Sequence, residues 1–224
     1  MLKINETIDS TTQENCKRFQ KPDVAGKYPP QYGEGRSNDQ REKRAILRCL
    51  QLLPANCHVL DFPCGSGRLL GLLKEQGFNV SGADSSASML EQVREHFAED
   101  EVCLYERDVF SSGFADNEFD AVICNRLFHH FLTSEDRKKA ITELARISKG
   151  PVIFSFFNTF SLSMTYRILR KRLKGKKLTD RVPVPLDVIR NEIEECGMKV
   201  VTDIPKRWGI SAMWYVIMEP ASKA

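Results

Sequence analysis

The chain has 224 residues, 42% of them hydrophobic, which suits one domain with an appendage around a substantial core. A formal net charge of +3 is too mild to indicate bulk nucleic-acid affinity. Seven cysteines without a C-x-x-C pair argue against a disulfide scaffold, a polar Met1–Arg18 against secretion, and the lack of a long apolar run against a membrane span. The expectation is free, mostly buried thiols in a reducing cytoplasm, with no metal site assigned.

Residues 1–40 are polar and centre on Lys27-Tyr28-Pro29-Pro30-Gln31-Tyr32-Gly33-Glu34-Gly35, which reads as an N-terminal arm or cap ahead of a domain over 41–220. Ala45, Ile46, Cys49, Leu50 and Leu53 recur at helical spacing and predict a helix over 39–53, closed by Pro54-Ala55-Asn56. A strand at 57–61 is followed by a helix at 67–76 that Gly77 ends. A second strand, Asn79–Ala83, leads into a helix at 86–97 capped by Ser85 or Ser86. Strands follow at 101–106 and 119–124, the latter after the turn-like Ala115-Asp116-Asn117-Glu118. A helix at 134–147 and a strand at 151–156 come next. Helices at 160–173 and 185–196 precede strands at 199–203 and 212–218, and 211–215 resembles an edge hairpin strand. Strands alternating with helices imply an α/β fold with right-handed crossovers and a mostly parallel sheet.

The most telling stretch is Val59-Leu60-Asp61-Phe62-Pro63-Cys64-Gly65-Ser66-Gly67-Arg68-Leu69-Leu70. A buried strand, a glycine-bearing turn and a helix start bring backbone N–H groups up against a ligand. Gly65 and Gly67 supply the first two glycines of a dinucleotide fingerprint, but Leu70 holds the third place and Gly71 comes one residue late. NAD and FAD are therefore disfavoured. No G-x-x-x-x-G-K-[ST] phosphate loop is present. What remains, Asp61 followed by Cys64-Gly65-Ser66-Gly67, resembles motif I of the class I S-adenosylmethionine-dependent methyltransferases. Pro63 is the one departure: it stands where the family has its first glycine, and it has no N–H to offer a ligand.

The resemblance implies a Rossmann-like, seven-stranded, mostly parallel sheet with helices on both faces, a three-layer α/β/α sandwich. It also implies S-adenosylmethionine as cofactor and S-adenosylhomocysteine as product. Asp61, Pro63, Cys64, Gly65 and Gly67 are the cofactor turn. Asp84 lies 23 residues beyond Asp61, the interval of a carboxylate that accepts both ribose hydroxyls, and it matches the family's motif II. A helix N-cap carboxylate is its other reading. Ser85 and Met89 follow as cofactor contacts, although a methionine there also suits a core. Asp108 and Val109 match the family's adenine-binding pair, against a plain solvated loop carboxylate. Phe119–Phe131 resembles motif IV and its continuation, its strand ending near Cys124 or Asn125 where it faces the transferred methyl, and Asn125 is taken as a cofactor contact. His129 and His130 are the candidates to take a proton from a hydroxyl or ammonium. Neighbours on a helix point in different directions, so one of the pair at most is expected to serve. Tyr28, with Tyr32 and Arg36, belongs to an arm that in the family often closes over the cofactor, where a ring can face the sulfonium.

Residues 157–185 are where this fold carries substrate-side inserts. Tyr166–Lys177 is densely basic, with Ile168, Leu169 and Leu173 at helical spacing. An anionic partner fits it: a phosphorylated or lipid-linked substrate, a membrane surface, or RNA. A solvated helix face fits it too. The apolar run through Phe154, Phe156, Phe157 and Phe160 to Met164 and Tyr166 lines a pocket or fills the core. The expected activity is in-line methyl transfer to a small-molecule or lipid-like acceptor, anionic or neutral. RNA methylation and a non-catalytic Rossmann-like partner subunit are the alternatives. The lack of an Asn-Pro-Pro-Tyr type motif argues against adenine or glutamine-amide methylation.

Overall fold

Strands buried along nearly their whole length force a chain into layers, because each needs helices over both faces. β1 (His58–Asp61) and β4 (Ala121–Cys124) are of this kind, and β2 (Asn79–Asp84) and β5 (Val152–Phe157) open only at one end. The computed structural model describes residues 37–98, 100–174 and 181–221. With β3 (Cys103–Glu106), β6 (Met198–Pro205) and β7 (Met213–Pro220), these strands form one seven-stranded sheet in the order β3-β2-β1-β4-β5-β7-β6. β3, β2, β1, β4 and β5 run parallel, and β7 is antiparallel to both its neighbours. The mostly parallel, seven-stranded expectation is met.

Each face of the sheet has its own core. α1 (Ser37–Leu50), α2 (Arg68–Glu75) and α3 (Ala87–Arg94) cover one face, where Ile46, Leu70 and Val93 pack with Val59 and Ile123. α4 (Ser134–Ile147) and α6 (Leu186–Glu195) cover the other, where Ile141, Leu144, Ile189 and Ile193 pack with Leu60, Val122 and Phe154. Arg137 of α4 donates to both oxygens of Glu192 of α6, at 2.8 and 2.6 Å, in a buried ion pair that joins these helices. α5 (Leu162–Leu173) packs differently, burying Met164 alone.

Between β3 and β4 no helix forms. Phe114 fills that place instead, meeting Phe62, Tyr105 and Phe119 edge to face with ring centroids 6.2, 5.1 and 5.0 Å apart. Most element bounds lie within three residues of those read from the sequence, the 86–97 helix closing at Arg94 with Ser86 as its cap.

One reading is corrected. Residues 211–215 are not an edge strand: β7 lies inside the sheet, and β3 and β6 are the edges. Met213, Tyr215 and Ile217 serve one core while Trp214, Val216 and Met218 serve the other. Such a continuous apolar run is the mark of a strand covered on both faces. No helix among the described residues is long and apolar enough to cross a membrane. Tyr28, Tyr32 and Arg36, and residues 175–177 of the basic stretch, lie outside the described residues.

Candidate functional site

The parallel order lines up the carboxyl ends of β1, β2, β3 and β4 on one edge, and the chain switches its direction of travel between β1 and β4. Ligands of open α/β sheets sit outside such an edge.

Asp84 ends β2 and is 7% exposed. One carboxylate oxygen accepts from the Gly65 N–H at 2.9 Å and the other from the Ser86 N–H at 2.9 Å, and the Ser85 N–H donates as well. Burial raises its pKa to about 6, against the pull of these three hydrogen bonds. The carboxylate thus ties the glycine turn to the start of α3. Asp61 ends β1 beside it, 1% exposed, and its Oδ1 has no hydrogen-bond partner. Burial first and the Asp84 charge second push its pKa well up, with Arg68 opposing. A buried carboxyl oxygen without a partner is the kind of atom a cationic ligand group satisfies.

The two glycines do different work. Gly65 has φ +55°, and a Cβ there would meet nothing within 4 Å, so its face of the turn is open. Gly67 has φ +83°, and a Cβ there would stand 3.1 Å from Val93, so it lets the turn lie against α3. Cys64 faces inward: its N–H donates to the Ala83 carbonyl at 2.8 Å and its Sγ packs against Gly82. Burial pushes its thiol well above the usual range. Pro63 follows a cis peptide bond. Met89 is 4% exposed at the start of α3, and its N–H donates to Ser86 Oγ. Beyond β3, Asp108 accepts from the Phe110 N–H at 2.8 Å, with Val109 buried beside it.

A charged cluster past β4 escaped the sequence reading. Glu42 of α1 is fully buried. Arg126 Nε donates to its Oε1 at 2.8 Å and Nη2 to its Oε2 at 2.5 Å. Arg68 donates to Oε1 at 3.0 Å, Lys206 to Oε2 at 3.2 Å, and Asn125 to Oε1 at 3.5 Å. Burial raises the Glu42 pKa, but the Arg126, Arg68 and Lys206 cations overcome it and leave it lowered. Burial lowers Lys206 as well. Asn125 also accepts from Ser155 Oγ at 2.9 Å, and that same Oγ accepts from the Arg126 N–H at 2.7 Å. Arg126 is held there at φ +63°. One signal was available: Glu42 precedes Ala45, Ile46 and Cys49 by three, four and seven residues, on the apolar stripe of its helix.

His129 and His130 lie in a 3₁₀ turn, Phe128–His130, both buried. Their rings do not point apart, as expected, but lie 4.2 Å from each other. Phe128 and Phe131, three residues apart, take the core side of the turn and leave the histidines the other. His129 also stacks on Phe157 at 4.3 Å. Among the described residues, no group of three or more His, Cys, Asp or Glu could hold a metal ion.

A family model described as a methyltransferase domain matches residues 59–150. Over that stretch the chain is similar to the class I S-adenosylmethionine-dependent methyltransferases, whose fold it shares. S-adenosylmethionine is the cofactor of that family, and the site fits it: an open glycine turn, an acceptor at the end of β2 and an orphaned carboxyl oxygen. A tRNA (carboxymethyluridine(34)-5-O)-methyltransferase of Mus musculus is 30% identical over 60% of this chain and 19% of its own length. A ubiquinone biosynthesis O-methyltransferase of Alkalilimnicola ehrlichii is 33% identical over 55% of this chain and 51% of its own. The chain therefore spans about half of one relative and a fifth of the other. The magnesium protoporphyrin IX methyltransferase of Synechocystis PCC 6803, solved with S-adenosylhomocysteine, superposes with a TM-score of 0.68 at 18% identity, covering 97% of this chain and 98% of that one. That likeness shows a shared fold.

Proposed function

We propose that this chain transfers the methyl of S-adenosylmethionine to an oxygen of a small, anionic or lipid-like acceptor. The observation that carries the reading is the Asp84–Gly65 clamp beside the open face of Gly65 and the unpartnered Oδ1 of Asp61. When bound, the cofactor supplies a methyl activated on a sulfonium sulfur. Gly65, with Pro63 and Cys64 shaping the turn and Gly67 seating it against α3, lets backbone approach it. Asp84, with Ser85, takes the ribose hydroxyls, and Asp61 faces the ammonium. Asp108, Val109 and Met89 frame the adenine, and Asn125 frames the methyl. His129 or His130 takes a proton from a hydroxyl acceptor; a carboxylate acceptor needs no base.

Two observations favour an anionic oxygen acceptor. Arg68, Arg126 and Lys206 outnumber Glu42 and Asp39 where β4 and β6 meet the site. Both relatives named above are O-methyltransferases. The excursion over 157–185 serves as the acceptor side, leaving β5 at Phe157 and returning where the Val184 N–H donates to the Phe157 carbonyl at 2.7 Å. Residues 1–40 are the proposed cap, with Tyr28 as a proposed cofactor contact.

An RNA acceptor is the second reading, favoured by the tRNA-modifying relative. The test is a methyl-transfer screen with isotope-labelled cofactor against carboxylates, phenols, lipid-like acids and bulk tRNA. Label in a small acid or phenol supports the first reading, label in tRNA supports the second, and no label from a protein that binds S-adenosylhomocysteine supports a non-catalytic partner subunit.

A further inference from the structure

Amphipathic helices of a globular domain turn their apolar stripe inward. α5 does the reverse. Leu162, Tyr166, Leu169 and Leu173 are spaced four, three and four residues apart, which puts them on one face within a narrow arc. They are 68, 67, 55 and 80% exposed. Arg170 and Arg172 fall on either flank of that stripe, and the helix contains no acidic residue.

The β6–β7 hairpin extends the surface. Its loop carbonyls at Gly209 and Ile210 accept from the N–H groups of Leu162 and Ser163, at 3.0 and 3.1 Å. The hairpin is thus fixed to the first turn of α5, and it carries Trp208, 79% exposed. Two elements far apart in sequence present bulky apolar groups in one place.

We infer that the α5 stripe and the Trp208 loop dock on an anionic lipid surface. The charge pattern selects this occupant. Cations flanking an exposed apolar stripe suit headgroup phosphates above and acyl chains below. RNA would use the cations and could stack on Tyr166 and Trp208, but would leave Leu162, Leu169 and Leu173 uncovered. A second copy would bring two arginine flanks together. The inference goes beyond the proposed function, because lipid binding is read without cofactor or acceptor.

The test is co-sedimentation of the full chain with vesicles of phosphatidylcholine, with and without about one-third phosphatidylglycerol. Binding is expected only with the anionic lipid and is expected to weaken with salt. Trp208 emission should shift to the blue, and Trp208→Phe should abolish the shift. The double variant Leu169→Asp/Leu173→Asp should lose about tenfold or more in partitioning, the scale of two lost apolar anchors. The stripe is exposed, so this variant should keep the S-adenosylhomocysteine affinity of the parent, which also reports that it is folded. Equal partitioning of parent and double variant would overturn the inference. So would no vesicle binding by the parent, whether it binds an RNA oligonucleotide instead or forms a dimer that the double variant breaks.

Discussion

The two halves of the site are built from opposite materials. Around β1 and β2, backbone does the work: the Gly65, Ser85 and Ser86 N–H groups converge on Asp84, and two glycines at positive φ shape the turn. Past β4, side chains do it: Glu42, Arg68, Arg126 and Lys206 meet from four separate elements. Backbone geometry demands particular residues at fixed local spacing, so the first half shows as a motif. An ion cluster demands only charges that meet after folding, so the second half does not.

The largest effect is expected at the second half. Glu42→Gln leaves three cations around a neutral amide in a buried place and should cost about 3–5 kcal/mol, the range for breaking a buried ion pair. Urea unfolding measures it. A loss under 1 kcal/mol would mean that the cluster is solvated and adds little. At the first half, Asp84→Ala should weaken S-adenosylhomocysteine binding by about 1–3 kcal/mol, as loss of charged hydrogen bonds does. Calorimetry reads this, and unchanged affinity removes Asp84 from the ribose site.

The buried Asp84 separates binding from stability by pH. Its pKa in the fold, about 6, lies above the ordinary carboxyl value. The stabilisation it gives is therefore complete below the unfolded value near 4 and is lost as pH rises through about 6. Ribose hydroxyls donate best to the ionised form, so affinity should move the other way. From pH 7 to pH 5, S-adenosylhomocysteine binding should weaken about tenfold, while the Asp84 contribution to the stability of the free protein increases. Asp84→Asn should flatten both trends. Smallest is Gly67→Ala: φ +83° and the 3.1 Å approach to Val93 should cost about 1–2 kcal/mol in thermal or urea unfolding.

Legibility followed the same division. The strand–turn–helix at 58–75, the interval from Asp61 to Asp84 and the helical periodicity of α1 are local signals, and the fold follows them. The edge-strand reading of 211–215 failed because the two faces of β7 are claimed by two cores that only the assembled sheet defines. The histidine pair was read as diverging because Phe128 and Phe131 had not yet been placed against Phe154. The glycine turn announced a nucleotide-like ligand from sequence alone. The charged cluster past β4 went unread, since its charges come from residues as distant as 42 and 206.

The most direct measurement is calorimetric titration of the full chain and of Asp84→Asn with S-adenosylhomocysteine at pH 7, with NADH as control. Micromolar binding by the parent, at least tenfold weaker binding by the variant and no response to NADH are expected. Equal affinity in parent and variant, or a response to NADH alone, would contradict the assignment of the Asp84–Gly65 clamp as the cofactor site.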